Sequence, residues 1–297
     1  MRLNRSFTGA IAVVTVCALS LLVASCGGLA FAVANAPALV GPFERTADLA
    51  YGNQPRQRLD VYMPDGALEA GSKPVPVVVF WYGGAWVQGS KVNYRFVGAT
   101  LAEAGYVAVL PDYRLYPEVR FPAFVEDGAL ALKWVRDNAA RFGGDPERIF
   151  VMGHSAGAHL AASLALDPRY LQGVGLNPQT INGLIGLSGP YALKPDTARL
   201  NRIFTAPSTA AEWQAVRHVG PLSPPTLLLH GTDDRRVWPA HSEELAQALR
   251  AAAVPVELIL VPGAGHADTV AGLSAPARNR APTLDALRRF IGDAPRQ

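Results

Sequence analysis

The run Arg148-Ile149-Phe150-Val151-Met152 leads into Gly153-His154-Ser155-Ala156-Gly157, and an Ala-rich stretch from His159 to Leu166 follows. A short apolar run that meets a helical pattern across five residues describes a buried strand, a sharp reversal and a helix packed back on it. The turn fits G-x-S-x-G, in which a strained strand-to-helix elbow lifts a serine hydroxyl clear of the backbone. An incidental Gly-rich turn is the bland alternative, and the strand and helix on either side weigh against it.

The rest of the chain repeats this alternation. Strands are expected at Leu59–Met63, Val75–Tyr82, Tyr106–Pro111, Ile149–Met152, Ile181–Leu187, Thr226–Leu229 and Val256–Val261. Helices are expected at Phe96–Ala104, Phe124–Arg141, His159–Leu166, His241–Ala252 and Pro282–Ile291, with "GGDPER" as a turn. Alternating strands and helices predict an α/β fold, a mostly parallel sheet covered on both faces, with sites beyond the C-terminal strand ends. The Pro-rich stretch 190–225 is irregular and reads as a small lid or a long connection. No boundary is sharper than the end of a leader, so the expected division is a leader and linker over 1–36 and one catalytic domain over 37–297.

Arg2 and Arg5 precede the apolar run Ile11–Ala24, the plan of a secretory signal. Three endings compete: lipidation at Cys26 after Val23-Ala24-Ser25, cleavage after Ala34-Asn35-Ala36, and an uncleaved anchor. Membrane association is expected only through this lipid or anchor. Cys17 and Cys26 are the sole cysteines, so the body holds no disulfide, Cys nucleophile or Cys metal site. Of the formal charge of +3, two positive charges lie in the leader, which leaves no basic footing for nucleic acid.

A serine needs a base, and the base needs an orienting acid. Six histidines are available. His266 follows the strand Val256–Val261 and the flexible Pro262-Gly263-Ala264-Gly265, where it can reach the elbow. His154, His159, His218, His230 and His241 read as structural. The acid should lie between serine and histidine, where "HGTDD" offers Asp233 and Asp234; Asp268 is too close to His266. An oxyanion would need preorganised N–H donors, from Ala156 and from the loop Gly83-Gly84-Ala85 that ends the early strand.

With these residues assembled, the chain resembles the α/β-hydrolase superfamily from about Leu59 to His266, and more narrowly its hormone-sensitive-lipase-like and BD-FAE-like carboxylesterases. "YGGAW", "DYRLYPE" followed by "FPA", "GGDPERIFVMGHSAGAHLAA", "HGTDDRRVWP" and "GAGH" carry the likeness. The resemblance implies Ser155 as nucleophile, His266 as base, Asp234 as acid, and Gly84, Ala85 and Ala156 as oxyanion donors. It implies a small-molecule ester substrate with no metal and no cofactor, and structural roles for Asp112 and Arg114. "GGAW" with "GHSAGAHLAA" is also similar to prenylcysteine methylesterases and kynurenine formamidases, which keeps a methylesterase or an amidase in view. A hydrolase fold that only binds a ligand is a third reading. The chain departs from the family's H-G-G-G at Tyr82 and Ala85, and Tyr82 and Trp86 are the expected substrate contacts.

Overall fold

The computed structural model describes residues 28–294. A helix over 28–35, α1, opens this region. The strands are β1 (Phe43–Ala50), β2 (Arg58–Pro64), β3 (Val75–Trp81), β4 (Val107–Pro111), β5 (Gly144–His154), β6 (Ile181–Leu187), β7 (Thr226–Gly231) and β8 (Val256–Val261). Between and after them run α2 (Arg95–Glu103), α3 (Ala123–Asn138), α4 (Ala156–Leu166), α5 (Pro168–Gly173), α6 (Ala198–Ile203), α7 (Ala210–Trp213), α8 (Ala240–Ala251), α9 (Asp268–Ala271) and α10 (Thr283–Asp293).

The eight strands form one sheet in the order β1-β2-β4-β3-β5-β6-β7-β8. From β4 to β8 every pairing is parallel, and β2 runs antiparallel to both its neighbours. The central strands are near-continuous apolar runs because helices cover both faces; β6 is buried at every position. The parallel strands therefore deliver the ends of β3, β5, β7 and β8 to one rim of the sheet.

The expected fold class holds, and two local expectations are corrected. "GGDPER" is not simply a turn, because β5 begins at Gly144, which pairs with Val75 before the register shifts to Val77 opposite Ile149. Strand β1 has no counterpart among the expected strands. Its exposed edge position removes the apolar alternation that would announce it. The stretch 190–225 holds α6, α7 and a 3₁₀ turn over Ala215–His218, and it lies packed on the body through Ile203, Phe204 and Trp213.

Candidate active site

Ser155 stands between β5 and α4 with φ 55° and ψ −122°, a conformation costly for any residue with a side chain. Its amide donates to Leu187 O on β6 (2.9 Å), which helps hold the turn. The reversal works only because neighbours lack side chains. A β-carbon on Gly157 would lie 2.0 Å from Trp81 O, and one on Gly83 would lie 3.0 Å from Ser155 Cβ. The β3 loop and the elbow are thus in direct backbone contact.

Three side chains from three strand ends join in series. Ser155 Oγ–H donates to His266 Nε2 (2.9 Å), and His266 Nδ1–H donates to Asp234 Oδ2 (2.7 Å). Asp234 follows β7 and His266 follows β8, where the Asp268 carboxylate accepts from Gly265 N (2.7 Å) and secures the turn. Asp233 is exposed and lies outside this chain of contacts. The arrangement can draw the proton from Ser155 and steady the resulting imidazolium.

Two further histidines support this chain, one at Asp234 and one at His266. The His230 Nε2–H is shared between Asp234 Oδ2 (3.2 Å) and Val237 O (2.9 Å), while Ser242 Oγ–H donates to His230 Nδ1 (2.7 Å). Burial pushes the Asp234 carboxyl upward, but donors from His230, His266 and the Val237 amide outweigh it and hold the acid well below the usual carboxylate range. His154 lies on the other side, its Nε2–H donating to His266 O (2.9 Å) and its ring 4.9 Å from the His266 ring. Burial, then the neighbouring His266, lowers the His154 pKa to about 3, so the ring stays neutral. Both histidines are structural, as the sequence suggests, but their partners went unseen; the position of His230 four residues before Asp234 was the one available signal.

The β3 loop supplies the other half of the site. Gly84, Ala85 and Trp86 all have positive φ (144°, 50° and 59°). The amides of Gly84, Ala85 and Ala156 donate to no acceptor among the described residues. Free N–H groups on a strained loop beside a serine are what an oxyanion needs. Tyr82 and Trp86, expected to touch substrate, are instead buried at 1% and 3% exposure. Tyr82 Oη–H donates to Asp112 (2.8 Å), accepts from Arg56 (2.8 Å), and its ring stacks on Tyr113. Trp86 packs edge-on against Phe204 and His159. Both brace the loop from behind because their bulk fills the core there. Asp112 also accepts the Lys91 amide, and Arg114 pairs with buried Asp127, as expected of structural residues. No group of three or more metal-ligating side chains occurs among the described residues.

Comparisons with known proteins converge on one group. The family model BD-FAE matches residues 59–249. An isoprenylcysteine alpha-carbonyl methylesterase of Arabidopsis thaliana is 34% identical over 74% of this chain and 56% of its own length. Esterase LipC of Mycobacterium tuberculosis is 33% identical over 83% of this chain and 64% of its own. The chain thus spans about half to two thirds of the length of these curated relatives. Among solved structures, a propionate-bound thermophilic esterase from the Planctomycetes species Thermogutta terrifontis superposes with a TM-score of 0.70 at 25% identity, covering 85% of this chain and 94% of that one. An inhibited esterase B from Lactobacillus rhamnosis gives 0.72 at 22% identity, over 92% and 96% of the two chains, a likeness of fold.

Proposed function

Because the chain belongs to the BD-FAE family, we propose that it hydrolyses carboxylic esters of small to medium acyl chain through an acyl-enzyme. Ser155 Oγ attacks the carbonyl carbon as its proton passes to His266 Nε2. Asp234 stays ionised and stabilises the imidazolium. The developing oxyanion accepts from the Gly84, Ala85 and Ala156 amides. As the tetrahedral adduct collapses, His266 returns the proton to the departing alcohol, and a water then repeats the sequence to release the acid. The observation that carries this reading is the unbroken Ser155–His266–Asp234 hydrogen-bonded chain beside free backbone donors.

Relatives named as isoprenylcysteine methylesterases favour one second reading, a carboxyl methyl ester as substrate. Both readings are tested by hydrolysis of p-nitrophenyl esters from acetate to decanoate, an aryl formamide and a prenylcysteine methyl ester. Ser155→Ala should cost about 10³-fold or more on whichever substrate is turned over. Absence of serine-dependent turnover on all of them would leave the ligand-binding reading. We also take the chain to be exported and membrane-anchored. Cys26 lies outside the described residues, but α1 begins just after it and is fastened to the body: Asn35 Oδ1 accepts from Phe96 N (2.9 Å) and Ser274 Oγ–H donates to Ala34 O (3.1 Å). Cleavage after Ala36 would discard these contacts, which favours lipidation at Cys26 or an uncleaved anchor. Cys26→Ser should abolish lipid labelling; undiminished labelling would remove the lipoprotein.

A further inference from the structure

Helix α1 presents two unlike faces. Phe31, Ala34 and Asn35 turn toward the body. Phe31 meets the Tyr94 ring edge-on at 5.3 Å, and Asn35 Nδ2–H donates to Asn93 O (3.0 Å). Leu29 and Val33, one turn apart, turn outward at 67% and 52% exposure. The chain then adds Leu39 and Val40, at 70% and 79%, with Val92 exposed beside the Asn35 anchor. These five are half of the ten large apolar side chains exposed among the described residues, so the patch is a concentration and not the ordinary scatter.

The sequence says what meets it. No charged side chain or histidine occurs from Ser6 to Phe43. The apolar run Ile11–Ala24 ends four residues before α1, too close for the helix to stand far from whatever that run enters. We propose that the outward face of α1, with Leu39 and Val40, is the surface on which the hydrolase body rests on a lipid bilayer. Its apolar side chains enter the headgroup boundary while Phe31 and Asn35 hold the helix to the body. A face with no Lys or Arg of its own needs no anionic lipid, so the contact should be insensitive to salt. The leader then tethers the enzyme, and α1 fixes how it lies. This rests on the membrane-anchored reading of the leader.

The test uses the full chain in phosphatidylcholine vesicles, with p-benzoylphenylalanine in place of Leu29, Val33 or Leu39, one at a time. Leu68 and Leu222, comparably exposed elsewhere, carry the probe as controls. Irradiation should give lipid adducts several-fold more abundant at the three α1-face positions than at the controls, with little change in high salt. Equal yields in a chain that floats with the vesicles would overturn the docking face and leave the anchor intact. Adducts to residues 1–27 or to a second copy would overturn it as well, by naming a protein occupant. A chain that fails to float would sink the anchor and the docking face together.

Discussion

Asp234 receives four donors: His266 and His230 on Oδ2, and the amides of Arg236 and Val237 on Oδ1. A carboxylate so held cannot swing away from the imidazole it orients, and His230 is the donor that chemistry can remove most cleanly. In His230→Ala, Val237 O and Asp234 Oδ2 each lose a buried partner, and a lost hydrogen bond to a charged group costs about 1.5–3 kcal/mol. If that loss falls on the transition state, kcat should drop about 10- to 100-fold with KM nearly unchanged. Ser242→Ala, which removes only the hydrogen bond to Nδ1, should be milder. Wild-type kcat in His230→Ala would show that the other three donors suffice. At this scale the sequence was readable for the residues proposed to react and opaque for the partners of those that support them. Ser155 and His266 stand out by order and spacing, while Asp234 is separated from Asp233 only by the resemblance to the family's H-G-x-x-D. His154 and His230 depend on which backbone carbonyl or carboxylate comes within 3 Å or so, and no local pattern encodes that.

The loop after β3 carries three successive positive-φ residues, two of which have side chains. An L-residue in the left-handed region costs roughly 1–2 kcal/mol relative to right-handed backbone, so Ala85 and Trp86 hold the loop away from its local preference. Their bracing is visible: Trp86 is wedged among Phe124, His159 and Phe204, and Val87 and Gln88 amides donate to Gly84 O. Ala85→Gly should relieve part of the strain, offset by the greater freedom glycine gives the unfolded chain, for a net gain of about 0–1 kcal/mol in urea unfolding. The backbone amide proposed to donate to the oxyanion is retained, so turnover of short esters should stay within a few-fold of wild type. Destabilisation by more than about 1 kcal/mol would mean that the methyl packs usefully and that the strain is small. The sequence revealed that this stretch of backbone must be bare, through Gly83 and Gly84. It misplaced Tyr82 and Trp86, because an aromatic beside a glycine pair looks the same whether it faces a ligand or the core.

Across the whole molecule the alternation of apolar runs and helices specified the layered sheet and the rim where the site lies, since each parallel strand must be covered on both faces. What the pattern could not specify is which titratable groups end up inside. His154 and His159 are buried, with pKa values lowered by burial to about 3 and about 4, and burial also lowers His241. Each has a native pKa below its unfolded value near 6.5, so below that pH the unfolded chain takes up protons the native state refuses. Stability is therefore fully present above about pH 6.5 and declines as pH falls, with each buried histidine contributing up to about 1.4 kcal/mol per pH unit until its native pKa is reached. Asp234, held well below 3.8, begins to add its own loss only at still lower pH. Urea titrations should thus give an unfolding free energy about 2–4 kcal/mol smaller at pH 5 than at pH 7. His154→Gln and His159→Gln should each flatten that slope by roughly one proton, whatever they do to stability at neutral pH. A pH-independent wild type over this interval, or variants with undiminished slopes, would show that the two rings accept protons in place and that the core around them is more accessible to water than their burial implies.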